Sequence, residues 1–451
     1  VPFSRSVSRR VVVVGLLVGC NDAVTLAINS DRPVPQAIDS ICVGVADISP
    51  SGGHFGKVYR LEDKLAKLPQ TLRIDAGNAQ AAWAWVRGDR GGVAAVRAGH
   101  LVDFGGDVTL DLDRCERGAA GPPAIVGDAA GPAAARLVVS HGANGQVVVA
   151  IGATTAVLDV IDGTLVATAA PDPPAGTLVA AIAVDVDGDC DDDLVVAASG
   201  GPPILWIREG TSFTLGNALG GAAVATIAAA DVDRDGDTDL VTGGGNTLTL
   251  WLNDGSGTYT LDEMGKLSGE GRVTSIRAVA LGDLDGDGNP DLVVGQAGAP
   301  LVAWLGAADA SGSFEPSDAV VPPVPLDVVR MELADADGDF DPDLAVAVSG
   351  APLRLYIDRD GRLEDQTFVR LESPVPTANA IAIGGWDPGC EPDAVIAGDG
   401  ETQALRGQPG GGFGVDGSAP AATDVVMTDL DDDGDLDAVI STAEGARWLA
   451  R

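Results

Sequence analysis

Short runs of Val, Ile, Leu and Ala recur along the chain, cut by clusters of Gly, Asp, Pro and Ser, and few are long enough for a helix. The best helical candidate, YRLEDKLAKL, is short. Around residues 231–240 the pattern is ATIAAA, then DVDRDGDTDL, then a β-branched run and glycines, then LTLWLND and the turn NDGSGTY. That order predicts four short strands: one before the acidic loop, one after it, one carrying an aromatic, and one behind a Gly-rich hairpin. The same order returns with DVDGDCDDDL from Asp185, DLDGDGNPDL from Asp283, DADGDFDPDL from Asp335 and DLDDDGDLDA from Asp429. An eroded copy, GWDPGCEPDA from Gly385, keeps Asp387 and Asp393 at positions 3 and 9, with Glu391 at position 7. A fainter one, ARLVVSHGANGQVVVAI, has the apolar flanks without the aspartates. Aromatics recur in phase as Trp206, Trp251, Trp304, Tyr356 and Trp448.

Repeats spaced 44 to 52 residues apart signal one supersecondary unit each. Four-stranded units in tandem predict an all-β fold closed radially into a β-propeller, which protects most sheet edges. The last unit stops after its third strand, and PPAIVGD (Pro122–Asp128) is the candidate for the missing one. Seven copies and a borrowed strand predict seven blades, with six or eight left open by the weak first copy. Residues 38–121 do not repeat; ICVGVAD, KVYRLE, QTLRIDA, AAWAWVRG and DVTLDLDRC predict a small antiparallel β-sandwich of immunoglobulin-like type. ERGAAGPPA marks its boundary with the propeller at residues 122–451.

The acidic loops need a chemical reason. Two unit charges about 5 Å apart at an effective dielectric near 20 repel by roughly 3 kcal/mol, so four converging carboxylates call for a counter-cation. Calcium, taking roughly 6–8 oxygen ligands, suits them. Spacing by two lets alternate side chains of a curled loop point inward, and a glycine at position 4 or 6 permits the bend. An EF-hand is rejected. It needs Glu at position 12, occupied here by Val196, Thr242, Val294, Val346 or Ile440, and helices where these flanks predict strands.

Five such loops in strand-rich repeats, with hairpins such as GSGTY and GGGFG, resemble the FG-GAP (VCBS-type) repeat of integrin α-subunit propellers and bacterial exported proteins. The resemblance spans residues 122–451 and implies calcium held by side chains at positions 1, 3, 5 and 9 and the backbone carbonyl at position 7. Carried over, the ligands are Asp185, Asp187, Asp189, Asp191 and Asp193 in the first loop, and Asp231, Asp233, Asp235, Asp237 and Asp239 in the second. Then come Asp283, Asp285, Asp287, Asn289 and Asp291; Asp335, Asp337, Asp339, Asp341 and Asp343; and Asp429, Asp431, Asp433, Asp435 and Asp437. About five calcium sites are expected, structural rather than regulatory; the Gly385 copy is expected to bind none.

The N-terminus, three arginines followed by VVVVGLLVGC, resembles a bacterial lipoprotein signal peptide at residues 1–19, with Cys20 as the lipidated residue. The alternative is a buried first strand. Residues 20–37 are expected as a tether. If Cys20 carries lipid, an even set remains: Cys42 with Cys115, bracketing the first globular region, and Cys190 with Cys390, paired by parity and by their shared position 6. Two free thiols are the alternative for the second pair. A net charge of −38 makes nucleic acid and anionic lipid surfaces poor partners. Asp47-Ile-Ser49-Pro-Ser51 matches the start of a metal-ion adhesion motif, but the region lacks the alternating strands and helices of that fold and reads as a turn. No catalytic constellation is visible: His54, His100 and His141 lack metal-ligand spacing, and no nucleophile elbow or phosphate loop occurs. The expectation is a monomeric, non-enzymatic platform at the bacterial cell envelope, lipid-anchored, binding a protein or glycan. A propeller enzyme acting on polysaccharide, as hydrolase or lyase, and a purely structural envelope protein are the alternatives.

Overall fold

The computed structural model describes residues 23–29, 40–47, 54–60, 70–75, 81–90, 93–103 and 107–111 of the N-terminal part. From 124 to 450 it describes all but 143–144, 162–163, 211, 222, 263–271, 308–311, 340, 373–374, 387–390 and 431–435. The chain divides into two compact units, Val1–Arg90 with Ala94–Arg114, and Cys115–Arg451 with Gly91–Val93. The proposed signal peptide and Cys20, and the side chains of Cys42 and Cys115, lie outside the described residues.

In the first unit a four-stranded sheet runs in the order His54–Arg60, Ser40–Asp47, Ala81–Arg90, Val93–Asp103, and a three-stranded one in the order Gln70–Asp75, Ala23–Asn29, Asp107–Asp111. Ala23–Asn29 falls in the stretch expected as a tether. Its residues Val24, Leu26 and Ile28 alternate with Thr25, Ala27 and Asn29, the period-two pattern of a strand, and Ile28 is fully buried. It pairs in parallel with Asp107–Asp111, so this sheet is not purely antiparallel.

The second unit is built of four-stranded antiparallel sheets in chain order. Sheet 1 is Ala134–Gly142, Gly145–Gly152, Thr155–Ile161 and Thr164–Ala169; sheet 2 is Leu178–Val184, Asp193–Ala198, Ile204–Glu209 and Ser212–Ala218. Sheet 3 is Thr226–Ala230, Asp239–Gly244, Thr247–Asn253 and Tyr259–Leu261; sheet 4 is Ile276–Gly282, Asp291–Pro300, Val302–Gly306 and Phe314–Ser317. Sheet 5 is Pro325–Ala334, Asp343–Val348, Arg354–Asp358 and Leu363–Asp365, and sheet 6 is Ala380–Gly384, Asp393–Ala397, Thr402–Gln408 and Gly412–Ala419. Sheet 7 takes Asp424–Thr428, Asp437–Thr442 and Gly445–Ala450, and its fourth strand is Ala124–Ala130. The far end of Asp291–Pro300 also pairs with the first strand of sheet 5, joining sheets 4 and 5.

The first strand of each sheet lies beside that of the next, and the one in sheet 7 beside that in sheet 1. The apolar core is divided the same way. Val195, Leu240 and Trp251 pack between sheets 2 and 3, Val241, Leu292 and Trp304 between 3 and 4, and Val293, Leu344 and Tyr356 between 4 and 5. Leu137, Val148, Val439 and Trp448 pack between sheets 7 and 1. Second strands are buried on both faces, which is why they read as continuous apolar runs.

The aromatic register holds for Trp206, Trp251, Trp304 and Tyr356, each opposite the residue that follows the position-9 aspartate. It fails for Trp448. In sheet 7 that place belongs to Leu449, opposite Ala438, while Trp448 sits one residue earlier and faces sheet 1. A shift of one residue turns a strand side chain to the opposite face.

Candidate metal centres

Each acidic loop joins the first and second strands of one sheet. Position 2 is an apolar anchor: Val186, Val232, Leu284, Ala336, Trp386 and Leu430 are all buried. Position 9 opens the second strand, and its carboxylate holds two backbone N–H groups. Val186 N and Arg208 N donate to Asp193 at 3.1 and 2.7 Å, and Val232 N and Asn253 N to Asp239, both at 2.9 Å. Leu284 N and Gly306 N donate to Asp291 at 2.7 and 2.8 Å; Ala336 N and Asp358 N donate to Asp343 at 2.8 and 2.7 Å. One donor belongs to the loop and the other to the third strand, so position 9 is a strut inside the sheet. In the eroded copy Asp393 still accepts Gly407 N at 2.7 Å. Sequence reasoning assigned position 9 of the five intact loops as a metal ligand and missed the strut, whose second partner lies 14 or 15 residues away.

Among the described residues, carboxylates converge in four loops, three at a time. Asp185, Asp187 and Asp193 bring one oxygen each within 4.8 Å of one another, as do Asp231, Asp233 and Asp239, and Asp283, Asp285 and Asp291. These are positions 1, 3 and 9. In the fourth loop the group is Asp335, Asp337 and Asp339, positions 1, 3 and 5. Position 5 also caps its own turn in all four: Asp189 accepts Asp191 N at 2.9 Å, Asp235 accepts Asp237 N at 3.1 Å, Asp287 accepts Asn289 N at 2.8 Å and Asp339 accepts Asp341 N at 3.1 Å. Position 7 varies, with Asp191 accepting Gly210 N at 3.1 Å and Asn289 accepting Arg234 Nη1 at 3.4 Å. In the fifth loop Leu430 N donates to Asp437 at 3.1 Å, while Asp431, Asp433 and Asp435 lie outside the described residues, as do Asp387 and Cys390.

The groups fit a hard cation. Asp187 Oδ1 is buried with no hydrogen-bond partner, an oxygen that a metal would satisfy. Burial pushes Asp193 up to about 9, and Asp239, Asp291 and Asp343 to about 7, from an ordinary 3.8; nearby loop carboxylates push the same way against the backbone N–H bonds. Strands flank every loop, and Val196, Thr242, Val294, Val346 and Ile440 are buried strand residues, as the rejection of an EF-hand requires.

Neighbouring sheets cover the loops. The sheet 3 residue Asn253 donates through Nδ2 to Val186 O at 2.8 Å in the loop of sheet 2. Gly361 of sheet 5, at φ +80°, lies so close to the loop of sheet 4 that a Cβ there would come within 3.1 Å of Asp285 Cβ. Sheet 1 has no acidic loop. Its Ser140 and His141 are held instead by sheet 2: His141 Nδ1 lies 3.0 Å from Asp192 Oδ2, Ser140 Oγ donates to Asp192 O at 2.6 Å, and Arg208 Nη1 donates to Ser140 O at 2.7 Å. His141, which lacks metal-ligand spacing in the sequence, therefore helps join two sheets. Cys190, at position 6, is fully buried with φ 73° and is disulfide-bonded.

The family model described as FG-GAP-like repeat matches residues 185–242, 231–294 and 283–346. Among solved structures, one of an Agrocybe aegerita lectin, described as recognising non-reducing terminal N-acetylglucosamine, is similar at 16% identity with a TM-score of 0.44. It covers 67% of this chain and 83% of its own. A structure of BBS1N in complex with ARL6DN is similar at 14% identity with a TM-score of 0.48, over 73% of this chain and 97% of its own. None of the curated proteins matches the chain. Three FG-GAP-like repeats thus run through residues 185–346 of a chain whose fold is all-β and propeller-like.

Proposed function

We propose that the C-terminal unit is a seven-bladed propeller stiffened by calcium, serving as a binding or assembly platform at a bacterial cell envelope to which Cys20 anchors it by lipid. One observation carries the calcium reading: in three successive loops the carboxylates of positions 1, 3 and 9 meet in the same way. The ion would draw on positions 1, 3, 5 and 9 and the carbonyl of position 7, and would tie the loop to the strand behind it. Weak sites of roughly 10⁻⁴–10⁻³ M fill in calcium-rich surroundings. With the acidic loops committed to ions, loops on the other face would meet a protein or glycan, and the charge of −38 argues against nucleic acid. Pairing of Cys190 with Cys390 would tie two loops of this kind together.

Calcium added to the metal-free chain is expected to bind with measurable heat in calorimetry and to raise the melting temperature by several degrees. No uptake and an unchanged melt would overturn the calcium reading. A glycan array and an envelope pull-down, each with and without calcium, test the platform role. Retention of a ligand without cleavage is expected, and release of shortened glycan would favour an enzyme instead.

A further inference from the structure

The fourth acidic loop differs from the three others in which carboxylates meet. Two guanidinium groups of the chain are seated on it. Arg359 donates through Nη2 to Asp337 Oδ2 at 2.9 Å and through Nη1 to Asp339 Oδ2 at 3.3 Å. Arg370 donates through Nη2 to the same Asp337 Oδ2 at 3.0 Å. Two of the three convergent carboxylates thus already carry a cation.

Both arginines are placed by departures from the repeat. Arg359 stands in the hairpin turn of sheet 5, where the corresponding positions three residues after Trp206, Trp251, Trp304 and Leu405 are Glu209, Asp254, Ala307 and Gln408. Arg370 is the last residue of Thr367–Arg370, the one helix among the described residues. Its side chain is 9% exposed, and it donates through Nε to Gln366 Oε1 at 2.9 Å and through Nη1 to Gly410 O at 2.5 Å. Gly411, at φ +76° in the turn of sheet 6, leaves room for it: a Cβ there would lie 1.8 Å from Arg370 Nη1. A helical turn, a glycine and a replaced hairpin residue converge on one carboxylate.

We infer that Arg359 and Arg370 are resident counter-cations that hold the loop Asp335–Asp343 in shape without metal and make it a weaker calcium site than the loop Asp185–Asp193. Asp337 Oδ1 remains buried without a hydrogen-bond partner, so an oxygen is left for an ion. That ion would enter beside two fixed positive charges, which repel it and compete for the same carboxylates. The inference rests on the calcium reading above and divides its loops into tight and weak ones.

The test counts calcium retained by the full chain after desalting, by elemental analysis. Compared with the native chain, Asp187→Asn is expected to lose one ion, Asp337→Asn to lose none, and Arg359→Gln with Arg370→Gln to gain one as affinity at this loop rises at least tenfold. Loss of one ion in both aspartate variants, or no gain in the arginine variant, overturns this inference and leaves the calcium reading standing. No ion in the native chain sinks both. If the double variant does not fold, Arg359→Gln alone, on a turn and 38% exposed, is titrated calorimetrically. Tighter binding than in the native chain supports the inference, and unchanged binding overturns it.

Discussion

Asp239 shows what a single side chain contributes. Its two oxygens accept Val232 N and Asn253 N, and burial holds its carboxyl at about 7. Asp291 and Asp343 repeat both features, and in Asp193 the carboxyl is pushed to about 9. Each folded-state value lies above the unfolded one near 3.8, so between the two the folded chain holds protons that the unfolded chain has released. The resulting stability is fully present below about 4 and is lost as pH rises through about 7, and through about 9 for Asp193. Calcium has the opposite dependence, because its ligands must be ionised. In chelator, the melting temperature is expected to be higher at pH 5 than at pH 8, and the increment from added calcium should grow over the same interval. Parallel melts across that range check both; a chelated chain more stable at pH 8 would contradict the assignment. The aspartates were legible in the sequence because their spacing is local. Their role as struts was not, because the third-strand N–H has no side-chain signature.

Sheet-to-sheet packing belongs to the next scale. Trp304 is fully buried between sheets 3 and 4 beside Leu292, Val294 and Phe314. Trp304→Ala is expected to cost about 3–5 kcal/mol, since the sheets on either side are braced and collapse little into the cavity. Leu215→Ala, at a side chain 64% exposed, should change stability by no more than about 0.5 kcal/mol. Chemical denaturation of the two variants measures the difference, and similar losses would mean that the aromatic strands do not carry the interface. These strands could be read from their composition. The phase of Trp448 could not, because ARWLAR offers Trp448 and Leu449 in succession and only the pairing with Ala438 and Val439 decides which faces which sheet. Thr367–Arg370 escaped as well: four residues carry no helical period, and the turn is held by its own N-cap residue Gln366 and by Gly410 and Asp337 from other parts of the fold.

At the scale of the whole unit, closure depends on a strand drawn from its beginning. Ala124–Ala130 pairs with Gly445–Ala450, with Val126 opposite Trp448 and Ile125 opposite Leu449. On the inner side, Leu137 N donates to Asp424 Oδ2 at 2.9 Å and Ser441 Oγ to Ala134 O at 2.9 Å, joining sheet 7 to sheet 1. A chain beginning at residue 131 would leave the edge of Gly445–Ala450 unpaired, and unpaired edges recruit other strands. It is expected to melt at lower temperature and to self-associate in sedimentation runs; a monomer with the native melt would show that the seam is dispensable. The missing strand and its donor were both readable from where the last repeat stops. The sequence alone determined the repeat, its acidic turns and the all-β class, because each turn and each strand is written in residues within about ten positions of one another and the same order then recurs along the chain. Only the tertiary structure decided which N–H each aspartate holds, which sheet covers each turn, and that Arg359 and Arg370 sit on Asp337. Those partners lie from 7 residues apart, for Val232 and Asp239, to 67, for Val186 and Asn253, and nothing in the chain marks them until the strands are brought together.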